Sequence, residues 1–230
     1  MKLGRLGVWY GTDKLDGPQL RDFVRTVEDN GYSTLWYPES RGYESMSLAA
    51  WLLSSSQKLV IGSSIANIYA RDSFTAQRAV VSLNALYGGR FVLGLGVSHI
   101  PMVEGLRGHR YDKPLAAMGA YLDGINKFAP AGELPPVVVA ALGPKMLALS
   151  AAKSRGAVPY NVTPKPYGSG RRDPRAFEVA RGGAEGNARD RSREGACARA
   201  QGTIALHGAA ELPQQLAAPG FCRGRARRRR

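Results

Sequence analysis

Hydrophobic and polar positions along residues 1–165 predict short buried strands that alternate with amphipathic helices. Several of the predicted strands are apolar on both faces, which is typical of a parallel sheet covered by helices. In chain order the predicted strands are LGRLGVWYG, STLWYP, KLVIGSSIAN, RFVLGLGV, PPVVVAAL and AVPYNV.

Between these strands, apolar residues recur at helical spacing, and turn residues such as Asp16-Gly17-Pro18 and Gly88-Gly89 mark helix ends. Two further helices are predicted over MSLAAWLL and GPKMLALSAAK. The predicted inner faces of the other three are Leu20, Phe23, Val24 and Val27; Ala76, Ala79, Val80, Leu83 and Leu86; and Leu115, Met118, Leu122 and Ile125.

The βα rhythm predicts an α/β fold, either a barrel or a doubly wound sheet. A dinucleotide-binding sheet requires G-x-G-x-x-G after its first strand, but Gly4, Gly7 and Gly11 have the wrong spacing. A (β/α)8 TIM barrel fits better, with about six βα units present. No segment of residues 166–230 has the pattern of the two missing units.

The charge is concentrated at the C-terminal end. The chain has a net charge of +14, yet residues 1–165 carry 18 basic against 12 acidic residues, whereas residues 166–230 carry 14 Arg, no Lys and 6 acidic residues. Only seven of those last 65 residues are Leu, Ile, Val or Phe. We therefore expect residues 1–165 to form the folded portion and residues 166–230 to be a disordered or out-of-frame tail.

An Arg-, Gly-, Ala- and Pro-rich stretch without Lys is typical of a GC-rich gene read in the wrong frame. The alternatives are a genuine disordered arm and a natural basic tail. Because the tail lacks interleaved aromatic residues, we expect no specific nucleic-acid binding. Cys197 and Cys222 do not have the spacing of a zinc site, and no metal site is predicted.

No apolar run approaches the length of a membrane span, and the chain opens on MKLGRLGVWYG without a signal-peptide core. A cytoplasmic protein with no membrane partner is the expectation.

Six ordered segments make the chain resemble the luciferase-like monooxygenase superfamily, most closely its deazaflavin (coenzyme F420)-dependent oxidoreductases. The resemblance implies a barrel that binds F420, or alternatively FMN, at the carboxyl ends of its strands. It also implies hydride transfer to or from a small organic substrate, and a homodimer in the intact family. The segments are LGRLGVWYG, GYSTLWYPES, IGSSIANIYARD, RFVLGLGVSHIPMVEGLRGHRY, PLAAMGAYLD and ALGPKMLALSAAKSRGAVPYNVTP.

Glu39, after the second predicted strand, is either a catalytic carboxylate that orients the substrate or moves a proton, or an ion-paired or helix-capping acid. Many relatives have a histidine at the next position, where this chain has Ser40. That difference leaves the general acid or base unassigned.

After the third strand, the resemblance implies a bulge with a cis peptide bond between Ser64 and Ile65. Both residues are then cofactor-binding candidates, with Ile65 against the ring and the amide of Asn67 at its polar edge. An ordinary buried strand end is the alternative.

The segment GLGVSH closes the fourth strand, and its two glycines are interpreted as permitting close approach of a ligand. Ser98 is a cofactor-binding candidate. His99 is the catalytic acid or base candidate because imidazole titrates near neutral pH. The nearby RGHRY segment has two interpretations: a binding site for an acidic cofactor tail, or a solvated loop.

Gly143 and Lys145 open a helix after the fifth strand, where free N–H groups favour a phosphate. Thr163, at the end of the sixth strand, is a candidate donor to the same phosphate. The favoured function is F420- or FMN-dependent oxidoreduction. The alternatives are a truncated, inactive relic and nonspecific nucleic-acid binding through the tail.

Overall fold

The computed structural model describes residues 3–160. The predicted tail over 166–230, both cysteines, Thr163 and the end of the sixth predicted strand lie outside these residues. The boundary at residue 165 therefore stays a prediction.

The described chain alternates strands and helices, as the sequence pattern predicts. The elements are β1 (Gly7–Trp9), α1 (Gly17–Asp29), β2 (Thr34–Tyr37), α2 (Ser45–Ser54), β3 (Val60–Ser63), β4 (Ala66–Asn67), α3 (Ser73–Leu86), β5 (Phe91–Gly96), a π-helical turn (Pro101–Gly105), α4 (Pro114–Asn126), β6 (Val137–Val139) and α5 (Pro144–Lys153). The π-helical turn lies in a segment that the sequence pattern predicts only as a polar loop.

All pairings in the six-stranded sheet are parallel. The strand β1 pairs with β2, β2 with β3, and β3 with β5. The strand β5 then also pairs with β4 and β6, and an isolated bridge joins Val139 to Ala157. Because β2, β3, β5 and β6 are fully buried, the sheet is covered on both faces, and the α/β prediction is confirmed.

The helices form where the sequence predicts them, with local signals at their ends. Asp16 caps α1 and forms a reciprocal capping box with Gln19. Positive φ angles at Gly88 and Gly89 follow α3. Two predicted inner-face residues are wrong: Leu86 is 74% exposed and Leu115 is 37% exposed.

The core lies between the sheet and its helices. It contains Leu20, Val24 and Val27 of α1, for example, and Met118, Leu122 and Ile125 of α4. Within residues 3–160 no helix is both long and apolar enough to cross a bilayer.

Candidate functional site

The candidate site lies at the carboxyl edge of the parallel sheet, where loops follow β2, β4 and β5. In barrels of parallel strands this edge carries the chemistry, because loops from different strands converge there. Glu39 follows β2, Asn67 ends β4, and Ser98 and His99 follow β5.

The strand predicted as KLVIGSSIAN is interrupted between β3 and β4. The Ser64–Ile65 peptide bond is cis, as the resemblance implied. Around the interruption, the Ser64 amide donates to the Tyr37 carbonyl at 2.6 Å, and the Trp9 indole donates to the Ser64 carbonyl at 3.1 Å. Groups from β1 and β2 thus satisfy the backbone where the sheet ladder is broken.

Asn67 lies two residues after Ile65 and is only 2% exposed. Its side-chain oxygen accepts a hydrogen bond from the Tyr69 amide at 2.9 Å. Its side-chain nitrogen Nδ2 is buried and has no partner among the described residues. A buried amide without a partner is costly, and a ligand acceptor at this position would satisfy it.

The glycines of β5 serve the protein's own chain. A Cβ at Gly94 would overlap the Ser63 carbonyl oxygen, and one at Gly96 would lie 2.5 Å from Cδ1 of Ile65. The glycines let β5 approach the interrupted strand closely. Close packing between these strands therefore explains Gly94 and Gly96, in place of the predicted close approach of a ligand.

Glu39 is an ion-paired carboxylate whose side chain is 4% exposed. Its Oε2 accepts from the backbone N–H of Asn67 at 2.7 Å and from Nη1 of Arg71 at 3.2 Å. Its Oε1 accepts from Nη2 of Arg71 at 2.5 Å. Of the two interpretations of Glu39, the geometry supports the ion-paired acid.

Arg71 holds a second carboxylate, because its Nη2 donates to Oε1 of Glu44 at 2.9 Å. Burial would lower the pKa of Arg71, but the hydrogen bond and the charges of Glu39 and Glu44 outweigh it and raise that pKa. Burial raises the pKa of the Tyr121 phenol, which stays protonated and donates to the Arg71 carbonyl at 2.9 Å. Arg71 is therefore charged. Tyr121 fixes its backbone carbonyl, and the two carboxylates fix its guanidinium.

A cleft of about 670 Å³ opens beside this network. Arg107 lines the cleft, and its Nη2 lies 3.9 Å from Oε1 of Glu39. Nε of Arg107 is buried without a partner among the described residues. Arg107 therefore joins Arg71, Glu39 and Glu44 in one cluster of charged side chains along the cleft.

The other candidates after β5 are more exposed. Ser98 has a φ of 57°, and its carbonyl accepts from the Tyr111 hydroxyl at 3.3 Å. The side chains of His99 and His109 are exposed. The Tyr69 ring lies 6.0 Å from that of His109 and 6.3 Å from that of Tyr111, so aromatic rings line this part of the edge.

Only part of the predicted phosphate-binding site lies within residues 3–160. Gly143 is the N-cap of α5, and Lys145 is exposed two residues later. Thr163 lies outside the described residues. This part of the site stays a prediction.

Sequence reasoning missed Arg71, Trp9 and Tyr121. Arg71 lies 32 residues from Glu39 in the chain, and no local spacing predicts such a pairing. The available signal was its position in IYARD, between a strand end and the N-cap Asp72 of α3. A charged residue there faces the same edge as the other strand ends.

With this geometry in view, the comparisons with known proteins identify the family. The family model described as luciferase-like monooxygenase matches residues 1–198. The chain belongs to this family.

The chain also resembles a relative of known sequence. It is 31% identical to a protein of Mycobacterium tuberculosis named as a coenzyme F420-dependent oxidoreductase, over 73% of this chain and 58% of that protein. The chain thus spans less than two thirds of the length of this relative.

Solved structures share the fold at low sequence identity. An F420-dependent secondary alcohol dehydrogenase in complex with an F420-acetone adduct matches with a TM-score of 0.63 and 12% identity, over 72% of this chain and 60% of that one. The FMN-bound oxygenating component of a Pseudomonas putida type II Baeyer-Villiger monooxygenase matches with a TM-score of 0.57 and 12% identity, over 70% of this chain and 58% of that one. The expected (β/α)8-barrel type of fold is confirmed.

Proposed function

We propose that this luciferase-like chain is an oxidoreductase that binds a deazaflavin or flavin at the carboxyl edge of its sheet. The observation that carries the proposal is the spare amide donor of Asn67, which is 2% exposed and unpartnered among the described residues. The polar edge of a flavin or deazaflavin ring carries carbonyl and ring-nitrogen acceptors, which suit such a donor.

Coenzyme F420 is the proposed cofactor, with FMN as the alternative. The Mycobacterium tuberculosis relative and the alcohol dehydrogenase are named for F420, whereas the Pseudomonas putida structure contains FMN. The ring, when bound, supplies hydride transfer with a small organic substrate.

The roles proposed for the chain's own residues follow from their positions. Ile65, which packs against Gly96, would support the ring face, and Asn67 would orient its polar edge. The exposed His99 remains the candidate that exchanges a proton with the substrate. Lys145 would add a positive charge for the cofactor phosphate.

The test is a binding titration of the purified chain with F420 and with FMN, followed by absorbance and fluorescence. Asn67→Asp keeps the acceptor for the Tyr69 amide but removes the free N–H donors, so we expect its Kd to rise about tenfold. Asn126→Asp is the matched control, because the Asn126 amide donates to the Lys153 carbonyl at the far end of α4. Binding of neither cofactor by the unmodified chain would contradict the proposal.

A further inference from the structure

Glu39 contacts both ends of the three-residue segment 65–67. Its backbone N–H donates to the Ile65 carbonyl at 3.2 Å, and its carboxylate accepts from the Asn67 N–H at 2.7 Å. A single residue of the loop after β2 therefore spans the segment that carries both ring-contacting candidates.

The segment needs such support because the sheet holds it only in part. The strand β4 consists of Ala66 and Asn67 alone and pairs with Leu95 and Gly96 of β5. The strand β3 ends at Ser63, so Ser64 and Ile65 belong to neither strand. Short and interrupted strands have few ladder bonds to fix their position.

The carboxylate is itself held rigidly. Arg71 donates to both of its oxygens, and the backbone N–H of Asn67 is a third donor. The Glu39 side chain is only 4% exposed. Planar guanidinium-to-carboxylate pairing fixes orientation as well as charge. The oxygens that an acid or base would use are thus already engaged.

We infer that Glu39 is a positioning residue that fixes Ile65 and Asn67 for the bound ring, and that it is not the proton-transfer residue. Arg71 acts through it by locking the carboxylate. This inference rests on the proposed function only for the identity of the ring, since the clamp itself is a property of the chain.

The test compares Glu39→Gln with Glu44→Gln, a matched control. Both remove a carboxylate from Arg71, but the hydrogen bonds of the Glu44 carboxylate go to the amides of Met46 and Ser47, which it caps at the start of α2, and to Arg71. Glu44→Gln is therefore expected to lower the melting temperature without affecting the segment.

The first readout is hydrogen–deuterium exchange in peptides that cover residues 64–68, without cofactor. We expect exchange about tenfold faster in Glu39→Gln than in the unmodified chain, and unchanged in Glu44→Gln. A Gln side chain has one acceptor oxygen and an NH2 group that cannot accept from Arg71, so it loses the two-oxygen pairing that holds the acceptor beside the Asn67 backbone N–H. Equal exchange in the unmodified chain and Glu39→Gln would overturn the inference.

The second readout is the Kd for F420 or FMN together with the absorption band of the bound ring. Glu39→Gln is expected to weaken binding about tenfold and to shift the band toward that of the free cofactor, whereas Glu44→Gln keeps both. Equal losses in the two variants would overturn the inference.

Two further outcomes are separable. If the unmodified chain binds neither cofactor, the proposed function fails, and the exchange data still decide whether Glu39 clamps the segment. If Glu39→Gln does not fold, Arg71→Lys replaces it. Lysine keeps the charge but lacks the planar two-nitrogen fork that gives each carboxylate oxygen its own donor, so faster exchange over 64–68 is again expected.

Discussion

At the scale of single residues, Gly94 decides how closely β5 approaches β3. Ser63 uses this proximity: its hydroxyl donates to the Gly94 carbonyl and accepts from the Gly94 amide, both at 2.9 Å. A side chain at residue 94 would displace the Ser63 backbone, one residue before the interruption at Ser64–Ile65. Gly94 therefore links the packing of the sheet to the shape of the site.

Gly94→Ala is expected to lower the free energy of unfolding by about 3 kcal/mol, the upper part of the range for overpacking, since backbone rather than a mobile side chain must move. Gly11→Ala is the control, because a Cβ at Gly11 would meet nothing within 4 Å. Urea unfolding measures both variants. Equal stability of the two would show that β5 does not approach Ser63 as described.

At the scale of elements, Glu28 at the end of α1 positions the start of β3. Its carboxylate accepts from the amides of Gln57, Lys58 and Leu59 at distances of 2.5 to 3.1 Å. Burial would raise the pKa of Glu28, but these hydrogen bonds and the charge of Arg90 outweigh it and lower that pKa below its ordinary value of 4.5. The ionised carboxylate therefore stabilises the helix-to-strand connection.

Because the folded-state pKa of Glu28 is lowered, its stabilisation is fully present above pH 4.5 and is lost as the pH falls through the folded value. We expect Glu28→Gln to cost about 1 kcal/mol at pH 7, allowing for partial solvent exposure, and less at pH 3. Asp29→Asn, at the exposed neighbour, controls for the charge. Thermal unfolding across this pH range measures the difference, and a constant difference would contradict it.

The elements were predictable from sequence because their signals are local. Strand apolarity and caps such as Asp16 depend on neighbours within a few residues. The predicted burial of Leu86 and Leu115 is wrong because both residues lie in terminal helical turns. The helical spacing of apolar residues continues there, but no neighbouring element of the described chain covers them. The pairing of Glu39 with Arg71 joins two loops through tertiary structure, which no periodicity encodes.

At the scale of the whole molecule, the parallel sheet brings separate loops to one edge. The loop after β2 supplies Glu39, the end of β4 supplies Asn67, and the loop after β5 supplies Arg107. In barrels of parallel strands this edge is where loops from different strands converge to form a site. Arg71 and Glu39 form the connection between the loops, and Asn67 carries a buried side-chain donor that has no partner within residues 3–160.

The most direct measurement of this account is the NMR signal of the Asn67 side-chain amide, assigned by its loss in Asn67→Asp, during titration with F420. We predict a shift of this signal that saturates together with the absorbance change of the cofactor, while the Asn126 side-chain amide stays in place. Binding of F420 that leaves the Asn67 amide signal unchanged would contradict the placement of the ring at this edge.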